Sequence, residues 1–342
     1  MAEYRALLVG AGSMGRQWAK NLKECERTEQ VAWIDIRPGA AEEAVKELGL
    51  GDTYTGTDLA TAIHAMQPDF VVDVTIPEAH RDVTVAALGA GLPVIGEKPM
   101  AHSMAAARDM VAASERAGKL YMVSQSRRYD ERIRDYRDLV RANLGPLGIL
   151  NSDFYIGAHF GGFRDEMASP LVLDMAIHTF DAARYISGAD PVAVYCEEFN
   201  PPWSWYTGDA CASAIFEMSN GLRYTYRGSW CGEGLNSSWE CDWRAVGPNG
   251  TALWDGHGNV TVGTVTKREG FHSECAVAKH EVVLGEHDGI RGSLREFLHA
   301  LETGETPNGE CHDNIKSLAM VFGAMESSRR RARVYIAELM AG

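Results

Sequence analysis

Asp174, His178 and Asp181 stand at i, i+4 and i+7 in LVLDMAIHTFD, residues 171–181. In an α-helix that spacing gathers them on one stripe. Leu173, Ile177 and Phe180 make a second stripe, and Val172, Ala176 and Ala183 a third. A helix so apolar elsewhere is wrapped by protein, where an unpaired charge is costly. The polar stripe is therefore expected either to line a cavity or to satisfy itself as a His–Asp pair. Imidazole, with an ordinary pKa of about 6.5, suits the transfer of a hydroxyl proton. Lys98, in GEKPMA, is the second candidate. An ammonium beside a reacting oxygen stabilises developing alkoxide charge, though a lysine in a turn is also commonly just solvated. The third is GAGSMG, where Gly10, Gly12 and Gly15 bracket Ser13 and Met14 in G-x-G-x-x-G spacing.

Stepping outward, these residues need elements to hold them. Ser169 and Pro170 are start signals, and Gly188 with Pro191 a stop, which predicts a helix over 170–187. In the first third, apolar runs at 4–10, 31–36, 70–76, 92–96 and 119–125 alternate with helical patterns at 14–25, 40–48, 58–66, 79–90 and 103–117. Repeated βαβ implies an α/β fold, a doubly wound parallel Rossmann sheet covered on both faces. The glycine motif then follows a strand and opens a helix, the context it requires for holding a pyrophosphate. Asp35 ends the second strand, where an acid accepts hydrogen bonds from the adenosine ribose and favours NAD. Arg37 either meets an NADP 2′-phosphate or is a solvated turn residue. Lys98 falls at the carboxyl edge of the sheet, where such folds bind ligands.

After a helical stretch at 129–143, strand patterns follow at 147–160, 191–199, 210–218, 222–231, 239–247, 250–254, 258–266 and 279–284. Helices at 290–303 and 312–328 and a short strand in RVYIA close the chain. Strands in series with a segregated helix predict an α+β domain with a large, mostly antiparallel open sheet. The expected division is a Rossmann domain over 1–125 and a substrate-binding and oligomerisation domain over 126–342.

The 342 residues include 33 basic and 47 acidic side chains, for a net charge of −14. Such a chain has no general attraction to nucleic acid or anionic membrane. No apolar run is long enough to span a bilayer, and MAEYRALLVG lacks the basic segment of a signal peptide, so a cytoplasmic protein is expected. The seven cysteines include no CxxC and read as reduced thiols. His257, His272, His280 and His287 are spread over separate segments, so no metal is expected in the mechanism. Trp203, Trp205, Trp230, Trp239, Trp243 and Trp254 crowd the second domain, as sheet packing, interface or a platform for a sugar ring.

The order of several motifs resembles the Gfo/Idh/MocA family, named for glucose–fructose oxidoreductase, inositol dehydrogenase and rhizopine-catabolism proteins. The fingerprint is followed by VTIPEAHRDV with Thr75 and His80 in register, then Glu97-Lys98-Pro99, SQSRRYD with Arg128, and LDMAIHTFDAARYISG. HDNIKSLAMVFGAMESS is similar to the family's C-terminal helix. Two departures stand out: Ile76 occupies a position commonly proline, and RDEMASPLVLD replaces a glycine cluster before the Asp–His helix. The resemblance implies an NAD(P)-dependent dehydrogenase of a sugar, inositol or related polyol, working as a dimer or tetramer. It implies that Lys98 orients the substrate oxygen, that His178 is the general acid/base, and that Asp174 binds a neighbouring hydroxyl. Thr75, Ile76, His80 and Glu97 are expected beside the cofactor, and Arg128 and Arg164 beside the substrate. A catalytically silent dinucleotide-binding regulator, or a dehydrogenase of a cyclic imine, amino-acid precursor or dihydrodiol, would use the same cofactor site.

Overall fold

The apolar run Tyr4–Val9 forms the first strand, β1, in a computed structural model that describes residues 3–282 and 289–341. The chain continues through α1 (Ser13–Glu24), β2 (Thr28–Ile34), α2 (Ala40–Leu48), β3 (Tyr54–Gly56), α3 (Leu59–Met66) and β4 (Phe70–Asp73). It goes on through α4 (Pro77–Gly89), β5 (Val94–Glu97), α5 (Met104–Ala117) and β6 (Tyr121–Ser124). The six strands pair in parallel in the order β3-β2-β1-β4-β5-β6. That is the order of a doubly wound dinucleotide-binding sheet, as expected. All four residues of β4 and of β5 are buried, as strands covered on both faces must be. The expected helices lie within two residues of those observed. Three-residue β3 was missed, since it is too short to carry a period of its own.

The remaining elements are α6 (Glu131–Leu144), β7 (Ile149–Tyr155), α7 (Ile177–Ser187), β8 (Pro191–Phe199), β9 (Cys211–Met218) and β10 (Arg223–Ser229). After them come β11 (Asp242–Gly247), β12 (Gly250–Trp254), β13 (Asn259–Lys267), β14 (Glu274–Glu281), α8 (Gly289–Thr303), α9 (Cys311–Arg330), β15 (Val334–Tyr335) and α10 (Ile336–Ala341). Nine strands form one sheet, β14-β13-β12-β11-β7-β10-β9-β8-β15. Among the described residues of this sheet, only β7 and β10 pair in parallel. The last expected strand starts five residues earlier than read, and its positions 283–284 lie outside the described residues.

Residues 3–126 and 289–315 group as one compact unit, and 127–282 and 316–341 as another. The division expected at residue 125 places α8 and the start of α9 in the second domain. Yet α8 packs on the parallel sheet, with Phe297 against Phe70 at 5.3 Å and Ser293 Oγ donating to Ser124 Oγ at 2.8 Å. In the second unit, α7 lies on the large sheet. Phe180 is buried edge-on against Phe216, Tyr226 and Tyr224 at 4.9, 5.2 and 6.3 Å. Among the described residues, no helix is long and apolar enough to cross a membrane.

Candidate active site

In the first unit the glycine loop is built as its spacing requires. Gly10 has φ +101°, and a Cβ there would lie 2.5 Å from the Val74 carbonyl oxygen. A Cβ on Gly15 would lie 2.1 Å from the Gly10 carbonyl oxygen. Around Gly12 nothing stands within 4 Å, which leaves its backbone open to a ligand. Gly12 is also the N-cap of α1 and supplies no side chain to that helix end. The first-turn amides, which include those of Ser13 and Met14, can therefore turn to an anion. A cleft of about 720 Å³ adjoins the loop, lined among others by Gly10, Gly12, Asp35, Arg37, Thr75 and Ile76. Ile36 is 88% and Ile76 65% exposed, apolar surface suited to the faces of an adenine and its neighbours. These residues fit a dinucleotide.

Asp35 is buried, yet its carboxylate takes four hydrogen bonds. Oδ2 accepts from the Ala11 amide at 2.7 Å and from Arg37 Nη2 at 3.0 Å, and Oδ1 from the Arg37 amide and Nε, each at 2.9 Å. Burial on its own would raise the Asp35 pKa, but these bonds outweigh it and hold the group at about 2. Asp35 thus secures the glycine loop as well as facing the cleft. Arg37 is neither a phosphate-facing cation nor a simply solvated one here. Its fork covers the oxygens a ribose would use.

Thr75 lines the cleft, while His80 stands behind it, only 2% exposed. His80 Nδ1 is 3.1 Å from Asp73 Oδ1, which also accepts from Thr75 Oγ1 at 2.6 Å. Thr84 donates to Asp73 Oδ2 at 3.0 Å. Burial alone would lower the His80 pKa, but the fully buried Asp73 carboxylate raises it, and the same attraction lowers that of Asp73. His80, expected at the cofactor, here braces the loop that carries Thr75. Glu97 is likewise buried. It accepts from Trp18 Nε1 at 2.7 Å and from the Lys98 amide at 3.1 Å, and burial raises its pKa. It supports the turn bearing half-buried Lys98 rather than presenting a carboxylate to the cleft. Sequence reasoning missed Asp73, Thr84 and Trp18. The available signal was an acid ending the otherwise apolar strand FVVD.

In the second unit the predicted helix has two parts. Leu171–Ala176 is a π-helical turn, and α7 follows it. The polar stripe divides accordingly. Asp174 and His178 are partly exposed, whereas Asp181 is buried. Asp174 Oδ2 accepts from Arg164 Nε at 2.7 Å. The Arg164 guanidinium rests over Phe160 and Phe163, 5.1 and 4.7 Å from their ring centres. Arg128 was expected beside the substrate. It is 5% exposed and grips Asp181 with two bonds, Nε–Oδ2 at 2.8 Å and Nη2–Oδ1 at 2.6 Å, while Ser317 Oγ donates to Oδ1 at 2.7 Å. That grip secures α7, and a fork so occupied is a poor substrate ligand. Trp230, Trp243 and Trp254 are core, while Trp203 and Trp239 are exposed. His257, His272 and His280 occupy separate segments, and His287 lies outside the described residues.

Residues 4–125 match the NAD-binding Rossmann fold of the GFO_IDH_MocA oxidoreductase family, and residues 162–336 match its C-terminal alpha/beta domain. The chain is 25% identical to a D-apiose dehydrogenase of Paraburkholderia graminis, over 99% of this chain and 91% of that one. It is 32% identical to an inositol 2-dehydrogenase of Streptomyces avermitilis over a shorter stretch, 55% of this chain and 54% of that protein. The fold is similar to that of an Agrobacterium radiobacter oxidoreductase solved with NAD+, L-tartaric acid and magnesium. The TM-score is 0.87 at 20% identity, covering 99% of this chain and 100% of the other.

Proposed function

This chain belongs to the Gfo/Idh/MocA family of NAD-binding oxidoreductases, and on that premise we propose that it moves a hydride between nicotinamide and a hydroxyl-bearing carbon of a sugar, inositol or related polyol. The observation that carries the reading lies in the second unit. Asp174 and His178, an acceptor and a proton carrier, stay partly open on one helical segment while Asp181 beside them is buried and paired. The relatives named for apiose and inositol support a polyhydroxylated substrate.

When bound, the nicotinamide accepts or returns the hydride. The protein does the rest. The amides of the first turn of α1 hold the pyrophosphate, and Asp35 receives the ribose hydroxyls once Arg37 swings off. Arg37 is 64% exposed, so its released guanidinium returns to water, while buried Asp35 keeps the Ala11 amide and exchanges the Arg37 bonds for ribose hydroxyls. A released Arg37 is also free to meet a 2′-phosphate, so NAD is the preferred cofactor and NADP a weaker one. Lys98 donates to the reacting oxygen and stabilises its alkoxide character. His178 takes the hydroxyl proton on oxidation and returns it on reduction. Asp174, held by Arg164, accepts from an adjacent hydroxyl and sets the ring's orientation.

The enzyme works in the cytoplasm, where thiols such as exposed Cys275 stay reduced. It pairs with a second copy through the outer face of the large sheet, where Tyr195 and Ile215 stand opposite each other, 49% and 51% exposed. The test is a screen of polyols with NAD, and of keto-sugars with NADH, followed by NADH absorbance. Turnover of a polyol supports the reading. Tight NAD binding without turnover of any member would favour a silent regulator instead.

A further inference from the structure

One cluster of potential ligands belongs to none of the chemistry above. Glu310, Cys311 and His312, at the start of α9, bring a carboxylate oxygen, a thiol sulfur and a ring nitrogen within 4.8 Å of one another. Glu310 Oε1 is 2.9 Å from Cys311 Sγ and 2.8 Å from His312 Nδ1, and Sγ is 3.5 Å from Nδ1. A tetrahedral zinc, with bonds of about 2.3 Å to sulfur and about 2.0–2.1 Å to nitrogen or oxygen, sets its sulfur and nitrogen ligands about 3.5 Å apart. The sulfur and nitrogen are already at that spacing, and the carboxylate oxygen need shift outward by only about 0.6 Å.

A second feature comes from a different element. Glu115, near the end of α5, takes the other ring nitrogen of the same histidine, with His312 Nε2 to Oε1 at 2.9 Å. A metal-bound imidazole characteristically gives its free nitrogen to a carboxylate, which fixes the ring and selects the coordinating atom. Here that atom is Nδ1, the one facing Cys311 and Glu310. The sulfur is fully buried, while the His312 side chain is 53% exposed, so the three ligands leave an approach from solvent for a water as fourth ligand.

We infer that Glu310, Cys311 and His312 form a zinc(II) site, with Glu115 as its outer carboxylate, that ties α5 to the start of α9. The mixed sulfur, nitrogen and oxygen set suits zinc over magnesium or calcium. Binding balances simply. The thiol proton and the Nδ1 proton leave, and thiolate and carboxylate together neutralise the dication. The site is independent of the hydride-transfer reading, so failure of either leaves the other standing.

The probe is cobalt(II), added to chelator-treated full-length protein and then displaced by zinc. One equivalent is expected to bind, with the visible bands of a four-coordinate ion and a thiolate charge-transfer band. His312→Asn, at a half-exposed position that leaves the core intact, should abolish those bands. Cys311→Ser should remove the charge-transfer band, and Glu115→Gln should weaken binding by about 10-fold. Absence of cobalt binding would overturn the inference. So would an unchanged spectrum in His312→Asn and Cys311→Ser, since it would place the ion on other thiols such as Cys275.

Discussion

Asp35 and Arg37 show how much one residue pair decides. The Asp35 carboxylate has its acceptor positions filled by Arg37 and the Ala11 amide, so a ribose must compete with a guanidinium. Arg37→Ala should therefore tighten NAD by up to about 5-fold while weakening NADP, measured by nucleotide fluorescence titration. The same carboxylate reports on acid stability. Its pKa is held at about 2 against an ordinary 3.8. A depressed carboxyl stabilises the fold above its unfolded value and loses that contribution as pH falls through the folded one. Asp35→Asn should cost on the order of 1–2 kcal/mol in urea unfolding at neutral pH, with the gap closing between about pH 4 and pH 2. Gly10, Gly12, Gly15 and Asp35 were legible because type, spacing and strand–helix context select them together, whereas Lys98, Asp174 and His178 stood out only through the order of motifs in the family resemblance. The partners of Arg128 and Glu97 were not legible. Arg128 meets Asp181 across 53 positions and Trp18 meets Glu97 across 79, and no local period encodes such pairings.

Among the elements, the segment 170–187 was legible as a helix from its caps and apolar stripes, but its π-helical first turn was not. Apolar residues at helical spacing fit a π turn almost as well over so short a run, and tertiary packing chooses between them. π turns concentrate at functional sites, and this one carries Asp174 just ahead of His178. The helix is secured from below by Arg128, which gives a direct contrast with a substrate role. Arg128→Ala leaves Asp181 buried without its guanidinium, a change that costs about 3–5 kcal/mol. The expected outcome is a large fall in unfolding free energy in the same buffer. A rise in KM at unchanged stability would contradict it and return Arg128 to the substrate. In the first unit Asp73 and His80 have the matching function of bracing the Thr75 loop, seven positions apart across a strand–helix turn that sequence reading could place but not connect.

On the scale of the whole chain, the two kinds of sheet followed from the change in pattern near residue 125, because βαβ alternation and serial strands have different periods. The return of α8 to the parallel sheet did not follow, since an amphipathic helix does not declare which apolar face it will cover. The exposed Tyr195–Ile215 pair on the large sheet bears on assembly. The proposed pairing of two copies places Ile215 in the contact, so Ile215→Arg should shift a dimeric wild type to monomer in size-exclusion chromatography with light scattering, and a monomeric wild type or an unchanged elution would contradict it. The proposed chemistry gives Lys98 the developing alkoxide charge and His178 the hydroxyl proton. Its most direct measurement is steady-state polyol oxidation by Lys98→Ala and His178→Asn, with NAD affinity measured in parallel. We expect kcat to fall by about 10²–10⁴ in each, with the dissociation constant for NAD unchanged. Wild-type turnover in either variant would contradict the claim.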